Sequence, residues 1–176
     1  MSTIARSLWG SVVLIVVLMT AACGSGGNSV DKNLTWQEAK AATQKKELEI
    51  AAVIPHDLIV KIDQLPKGTL MSCGQAQVYD EDERTYNWTG GADVFLAPGT
   101  PQEPLIRAIE EHYKDSRFTP IVDHDIEGAL RIQLYDEANR EGYVIGSGLN
   151  GPDSLTITSY SPCFELPEDT WPGGDF

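Results

Sequence analysis

The chain has 176 residues, with 26 acidic and 13 basic side chains and a net charge of −13 at neutral pH. So acidic a surface argues against nucleic acid or anionic lipid headgroups as charge-driven partners, and it favours a soluble, self-repelling domain. The length suits one domain that removes about two thirds of its unfolded surface from water.

The first segment reads as an export leader over residues 1–22. One basic residue, Arg6, precedes an apolar run from Leu8 to Met19, and small residues follow before a cut. The run spans only about 18 Å as a helix, short of the ~30 Å hydrocarbon core, so it is a signal and not a permanent span. Thr20-Ala21-Ala22-Cys23 resembles a bacterial lipobox, in which the cysteine is acylated and becomes the new N-terminus. Thr20 stands where that motif usually has Leu, which leaves ordinary cleavage and secretion as the alternative. Residues 23–33, rich in Gly and Ser, are the expected tether, and residues 34–176 the single folded domain.

Thr35-Trp36-Gln37-Glu38 is a capping box opening a first helix, with Trp36, Ala39, Thr43, Ile50 and Ile54 on one stripe, Glu47 interrupting it, and Pro55 ending it. Leu58, Val60 and Ile62 alternate as a strand, and Thr69 to Cys73 follow as a second after the turn Leu65-Pro66-Lys67-Gly68. The acidic run Asp80 to Glu83 reads as a solvated loop, because it lacks the spacing of a calcium loop. Tyr86 to Thr89 and Ala92 to Leu96 read as strand, with a bulge or bend at Gly90-Gly91. A second helix spans about Gln102 to Lys114, its apolar face Leu105, Ile109 and Tyr113 with Ala108 and His112 alongside. Strand pattern resumes at Phe118. It is clearest where Leu130, Ile132 and Leu134 alternate with Arg131, Gln133 and Tyr135, and it continues through Tyr143 to Ile145 and Leu155 to Thr158. The last segment, Leu166 to Phe176, reads as extended, with Trp171 and Phe176 clamping it. The sum is an α+β fold: an antiparallel β-sheet with two helices packed on one face.

Of three cysteines, Cys23 is assigned to lipid, and Cys73 and Cys163 remain as an even pair in an exported domain, the pattern of a structural disulfide. Chemical motifs are scarce. Ser29-Val30-Asp31-Lys32 spells a penicillin-binding nucleophile motif, but its partner elements are missing and a tether cannot preorganise it. Gly146 to Gly151 fits a dinucleotide fingerprint but leads into a strand and not a helix, so no cofactor is expected. His56, His112 and His124 lack metal spacing, and no metal is expected. Glu110-Glu111 and Asp123/Asp125 are the carboxylates on which an acid/base hydrolase could draw. Tyr86, Trp88, Gly90 and Gly91 form a possible contact surface for a peptide or glycan, with core packing as the other reading of Trp88.

Several stretches together resemble a group of small actinobacterial cell-surface lipoproteins, and more loosely the LppA-like lipoproteins. They are Glu49 to Pro55, Leu70 to Cys73, Tyr86 to Gly90, Leu155 to Phe164 and Trp171 to Phe176. The resemblance implies a lipid anchor at Cys23, a Cys73–Cys163 bridge and an α+β fold, and it transfers no catalytic residue. The expected function is a non-enzymatic binding or envelope-interaction module on the outer face of the cytoplasmic membrane. Its expected partner is an unknown protein, peptide or glycan, with no nucleic acid. A wall or extracellular hydrolase using a carboxylate pair, and an accessory subunit of a membrane complex, are the alternatives.

Overall fold

The computed structural model describes residues 30–74 and 84–176. Cys23, most of the tether, Ser29 and the acidic run Asp80 to Glu83 lie outside the described residues.

Helix α1 runs Trp36–Ala51. Its capping box is formed: the Glu38 N–H donates to the Thr35 hydroxyl at 3.2 Å and the Thr35 N–H to the Glu38 carboxylate at 3.0 Å. The helix stops three residues before the expected Ile54. The N–H groups of Val53 and Ile54 turn to the carbonyls of Ile50 and Ala51, a tightened last turn that finishes the helix ahead of Pro55. The fold also begins earlier than residue 34, since Asp31 bridges Phe164 and its N–H donates to the Cys163 carbonyl at 3.2 Å.

Eight strands follow with one further helix: β1 Ile59–Gln64, β2 Thr69–Ser72, β3 Thr85–Leu96, α2 Gln102–Tyr113, β4 Thr119–His124, β5 Leu130–Asp136, β6 Glu141–Ser147, β7 Ser154–Tyr160 and β8 Phe164–Glu165. They form one antiparallel sheet ordered β1-β3-β7-β6-β5-β4, with β2 and β8 also paired to β3. β3 is the organiser. Its first half pairs with β2 and its second half with β1, while β7 runs along the other side.

Both helices cover the same face. Ile50, Ala51 and Ile54 from α1 and its end meet Leu105, Ile106 and Ile109 of α2 over Val94, Ile132, Ile145 and Ile157 of the sheet. Ile106, and not Ala108 or His112, completes the apolar side of α2, and the latter two are exposed. A second cluster joins Ala39, Trp88, Phe164, Leu166 and Phe176. Phe176 clamps the last segment as expected: its N–H donates to the Gly68 carbonyl at 3.1 Å and its ring meets Trp36 edge-on at 5.2 Å. Trp171 does not clamp, being 75% exposed.

Two sequence expectations fail for local reasons. The alternation in β1 breaks because the register against β3 slips between Ile59 and Lys61. The bulge moves Val60 outward, where it is 65% exposed, and lets Ile59 touch the core in its place, while Leu58 and Ile62 pack there as expected. At Gly90-Gly91 there is no bulge against β7: the β3–β7 ladder is continuous from Thr89↔Tyr160 to Phe95↔Ser154. The glycines serve close approach. A Cβ on Gly90 would stand 2.0 Å from the Trp88 ring, and one on Gly91 would stand 2.4 Å from the Ile157 carbonyl oxygen.

The Cys73–Cys163 disulfide is present, with an S–S distance of 2.11 Å and a separation of 90 residues. It ties the segment after β2 to the entry of β8. In the chain-entropy picture a loop of this size is worth about 4–5 kcal/mol before native strain is subtracted.

Candidate functional site

The expected contact surface is not a surface. Trp88 is 0% exposed, and Gly90 and Gly91 are buried with it. The indole lies across Gly90 and Gly68, and its N–H donates to the Phe176 carbonyl at 3.3 Å. Core packing, the other reading of Trp88, is what the structure has. Tyr86 is half-buried and packs against the same cluster.

The carboxylates named from the sequence are engaged. Glu110 pairs with Arg107 at 2.9 Å and Glu111 with Lys114. Asp123 accepts two bonds from Arg131, at 2.9 and 2.6 Å, and that guanidinium holds its carboxyl below the usual aspartate range. Asp125 accepts the N–H groups of Glu127 and Ala129, each at 2.9 Å, and so closes its own turn. The three histidines are exposed, and among the described residues no three His, Cys, Asp or Glu side chains gather as metal ligands.

What the topology does bring together lies on the face of the sheet that the helices leave uncovered. Leu134, Tyr143 and Ser159 point into the protein. By strand alternation their neighbours Tyr135, Gly142 and Tyr160 point outward. Those three form one row across β5, β6 and β7, because Tyr135 pairs with Gly142 and Gly142 with Tyr160. A Cβ on Gly142 would lie 3.4 Å from the Tyr135 ring and 3.9 Å from the Tyr160 ring. The glycine is therefore the low floor between two aromatic walls. A cleft of about 190 Å³ opens there, with Asn87, Arg140 and the Cys73–Cys163 bridge completing its lining.

The β5–β6 hairpin that carries Arg140 is held from below. Asp136 and Glu141 face each other across the strands, a like-charge pair that would repel on its own. Arg117 bridges them, reaching Asp136 at 2.6 Å and also Glu141. Burial works against the Arg117 charge, but the Glu141 and Asp136 carboxylates outweigh it and raise its pKa. Tyr143 donates to Glu141 at 2.6 Å, and burial together with that carboxylate keeps the phenol protonated. Asp136 also accepts from the N–H groups of Ala138 and Asn139 at 3.0 and 3.4 Å. On this braced turn Arg140 takes φ 58°, the one non-glycine residue in the left-handed region among the described residues.

The cleft offers stacking faces, an amide and a guanidinium, which are means of binding. Of its lining only the Cys73–Cys163 pair stood out in the sequence, and that as a structural bridge. Tyr135 was visible only as the polar half of an alternating strand, and Tyr160 and Gly142 become its neighbours only through the register. A strand-interior glycine between two turns was the available signal.

The class that the fold and the cleft define is a disulfide-locked α+β domain with a one-sided sheet. No protein-family model, curated protein or solved structure matches the chain.

Proposed function

We propose that the chain is exported, acylated at Cys23 and held at the outer face of the cytoplasmic membrane, where its domain acts as a non-enzymatic binding module. The observation that carries this reading is the one-sided cover of the sheet. Both helices share a single core on one face. The other face keeps the Tyr135–Gly142–Tyr160 row and its cleft open to solvent. A sheet with one solvated face is ordinary in antiparallel folds, but a cleft bounded by aromatics on it is an economical place to hold a ligand. The Cys73–Cys163 bridge agrees with an oxidising compartment. The leader, the Thr20-Ala21-Ala22-Cys23 stretch and the resemblance to surface lipoproteins support the anchor. No helix among the described residues is long and apolar enough to cross a membrane.

The test is made in bacterial cells expressing the full chain. Wild-type protein should sediment with membranes and carry acyl mass on residue 23, and Cys23→Ala should move to the soluble or secreted fraction. A photo-reactive phenylalanine at position 135, on the uncovered face, should give adducts, and the same group at Ala108, exposed on α2, should not. Wild-type protein without acyl mass overturns the anchor, and equal labelling from both positions overturns the binding face.

A further inference from the structure

Twelve lysines and arginines lie in the described residues, and eleven have partners. Most pair with a carboxylate. Lys40 and Arg84 are spent on backbone carbonyls: Lys40 reaches those of Pro66 and Phe176, and Arg84 those of Leu166, Pro167 and Thr170. Arg140 is the exception among the described residues. It makes no hydrogen bond and no ion pair, although the chain carries twice as many acidic as basic side chains. It is half-buried, and it lines the cleft with Tyr135, Tyr160 and Asn87.

Its backbone adds a second, independent oddity. With φ at 58°, residue 140 occupies a conformation that glycine takes freely and that a Cβ penalises. The turn therefore holds an arginine where glycine would suit the backbone better. Strain of this kind points from an observed outlier toward a use for the side chain.

The chemistry of the lining selects a ligand. Two tyrosine rings flanking a glycine floor offer apolar carbon suited to the C–H face of a sugar ring. Asn87 supplies both a donor and an acceptor for hydroxyls. Arg140 supplies a planar fork that matches a carboxylate. The cleft, at about 190 Å³, takes one ring and not a long segment. The net charge of −13 does not forbid an acidic ligand, since repulsion from groups beyond about 8 Å is screened at physiological salt while the guanidinium acts at contact.

We infer that this cleft binds a carboxylate-bearing sugar, with Arg140 on the carboxylate, Tyr135 and Tyr160 on the ring and Asn87 on a hydroxyl. The inference rests on the proposed binding role and gives it a ligand class. Two sources carry this chemistry: amino sugars with a lactyl ether, as in peptidoglycan, and hexuronates of acidic polysaccharides.

The experiment titrates the full chain in detergent, disulfide intact, with N-acetylmuramic acid and with glucuronic acid, read by NMR shift changes. N-acetylglucosamine serves as the neutral control and lactate as the carboxylate without a ring. At least one acidic sugar should bind about tenfold or more tightly than either control, a step equal to about 1.4 kcal/mol. The preferred sugar then identifies the source. Arg140→Gln should abolish that preference with the fold intact. Arg140→Gly should abolish it too while raising the unfolding temperature by a few degrees, roughly the gain from relieving the backbone. Gly142→Ala, whose added carbon meets only ordinary contacts, should fill the floor and weaken binding. Equal binding of N-acetylglucosamine, or full binding by Arg140→Gly, overturns the inference. So does a short peptide with a free C-terminus that competes as well as the sugars while its amide does not. If no sugar binds but the probe at position 135 still labels a partner in cells, the ligand class falls and the binding role stands. If that probe is also silent, both fall.

Discussion

Glu47 has 0% exposure and sits on the stripe of α1 that faces the sheet. From the sequence it read as an interruption, because its partners are distant along the chain. They are the Ser159 hydroxyl, 112 residues away, and the Gln64 amide, which donates at 2.8 Å. Burial raises the Glu47 pKa above the ordinary glutamate value, and the bonds from Ser159 and Gln64 pull it back without cancelling the rise. In the unfolded chain the group titrates at its ordinary value. Between the two values the native state keeps a proton that the unfolded chain has released. Stability therefore falls as pH rises through that window and is level above it. Glu47→Gln should remove this fall, because the amide copies the neutral acid. Urea midpoints from about pH 4 to about pH 8 measure it, and a variant with the wild-type slope contradicts the assignment. Glu47→Leu should instead cost about 1–3 kcal/mol, the penalty of leaving the Ser159 hydroxyl unpaired.

At the scale of elements, β3 shows what close approach demands. At Gly91 the backbone of β7 leaves no room for a Cβ, so Gly91→Ala pushes a carbon against the Ile157 carbonyl, backbone that cannot rotate away. The expected cost is about 3 kcal/mol, the upper part of the range for overpacking, read as a lowered denaturant midpoint. Gly142→Ala on β6, on the far side of β7, should leave stability near the wild type, which makes the pair an internal control. The sequence disclosed these elements unevenly. In β5 the alternation of Leu130, Ile132 and Leu134 passed straight into burial. In β1 one bulge exchanged the sides of Ile59 and Val60, and no residue type in Ile59-Val60-Lys61 marks a bulge. The glycine pair in β3 was visible, but its purpose was not, because the groups it admits come from the indole two residues back and from a strand more than sixty residues on.

For the whole molecule, the fold class was legible because periodicity tells which side of an element is buried. The sheet order β1-β3-β7-β6-β5-β4 was not, since alternation reports a face and never a neighbour. The cleft was hidden for that same reason: its row is assembled from three strands. The sulfur bridge was legible from cysteine count and the compartment that the leader implies, and its position has a mechanical consequence. Cys73 and Cys163 bracket the 90-residue stretch that contains β3 to β7, including Tyr135, Arg140 and Tyr160. A pull between the two ends of the chain runs through the covalent bond and skips that stretch. Stretching single molecules should therefore unravel only the segments outside the bracket, and adding a reductant should release roughly 300 Å more extended chain. Full extension without reductant would show that the bond is not formed. With this wiring the strands from β3 to β7 keep their arrangement while force acts on the two ends of the chain.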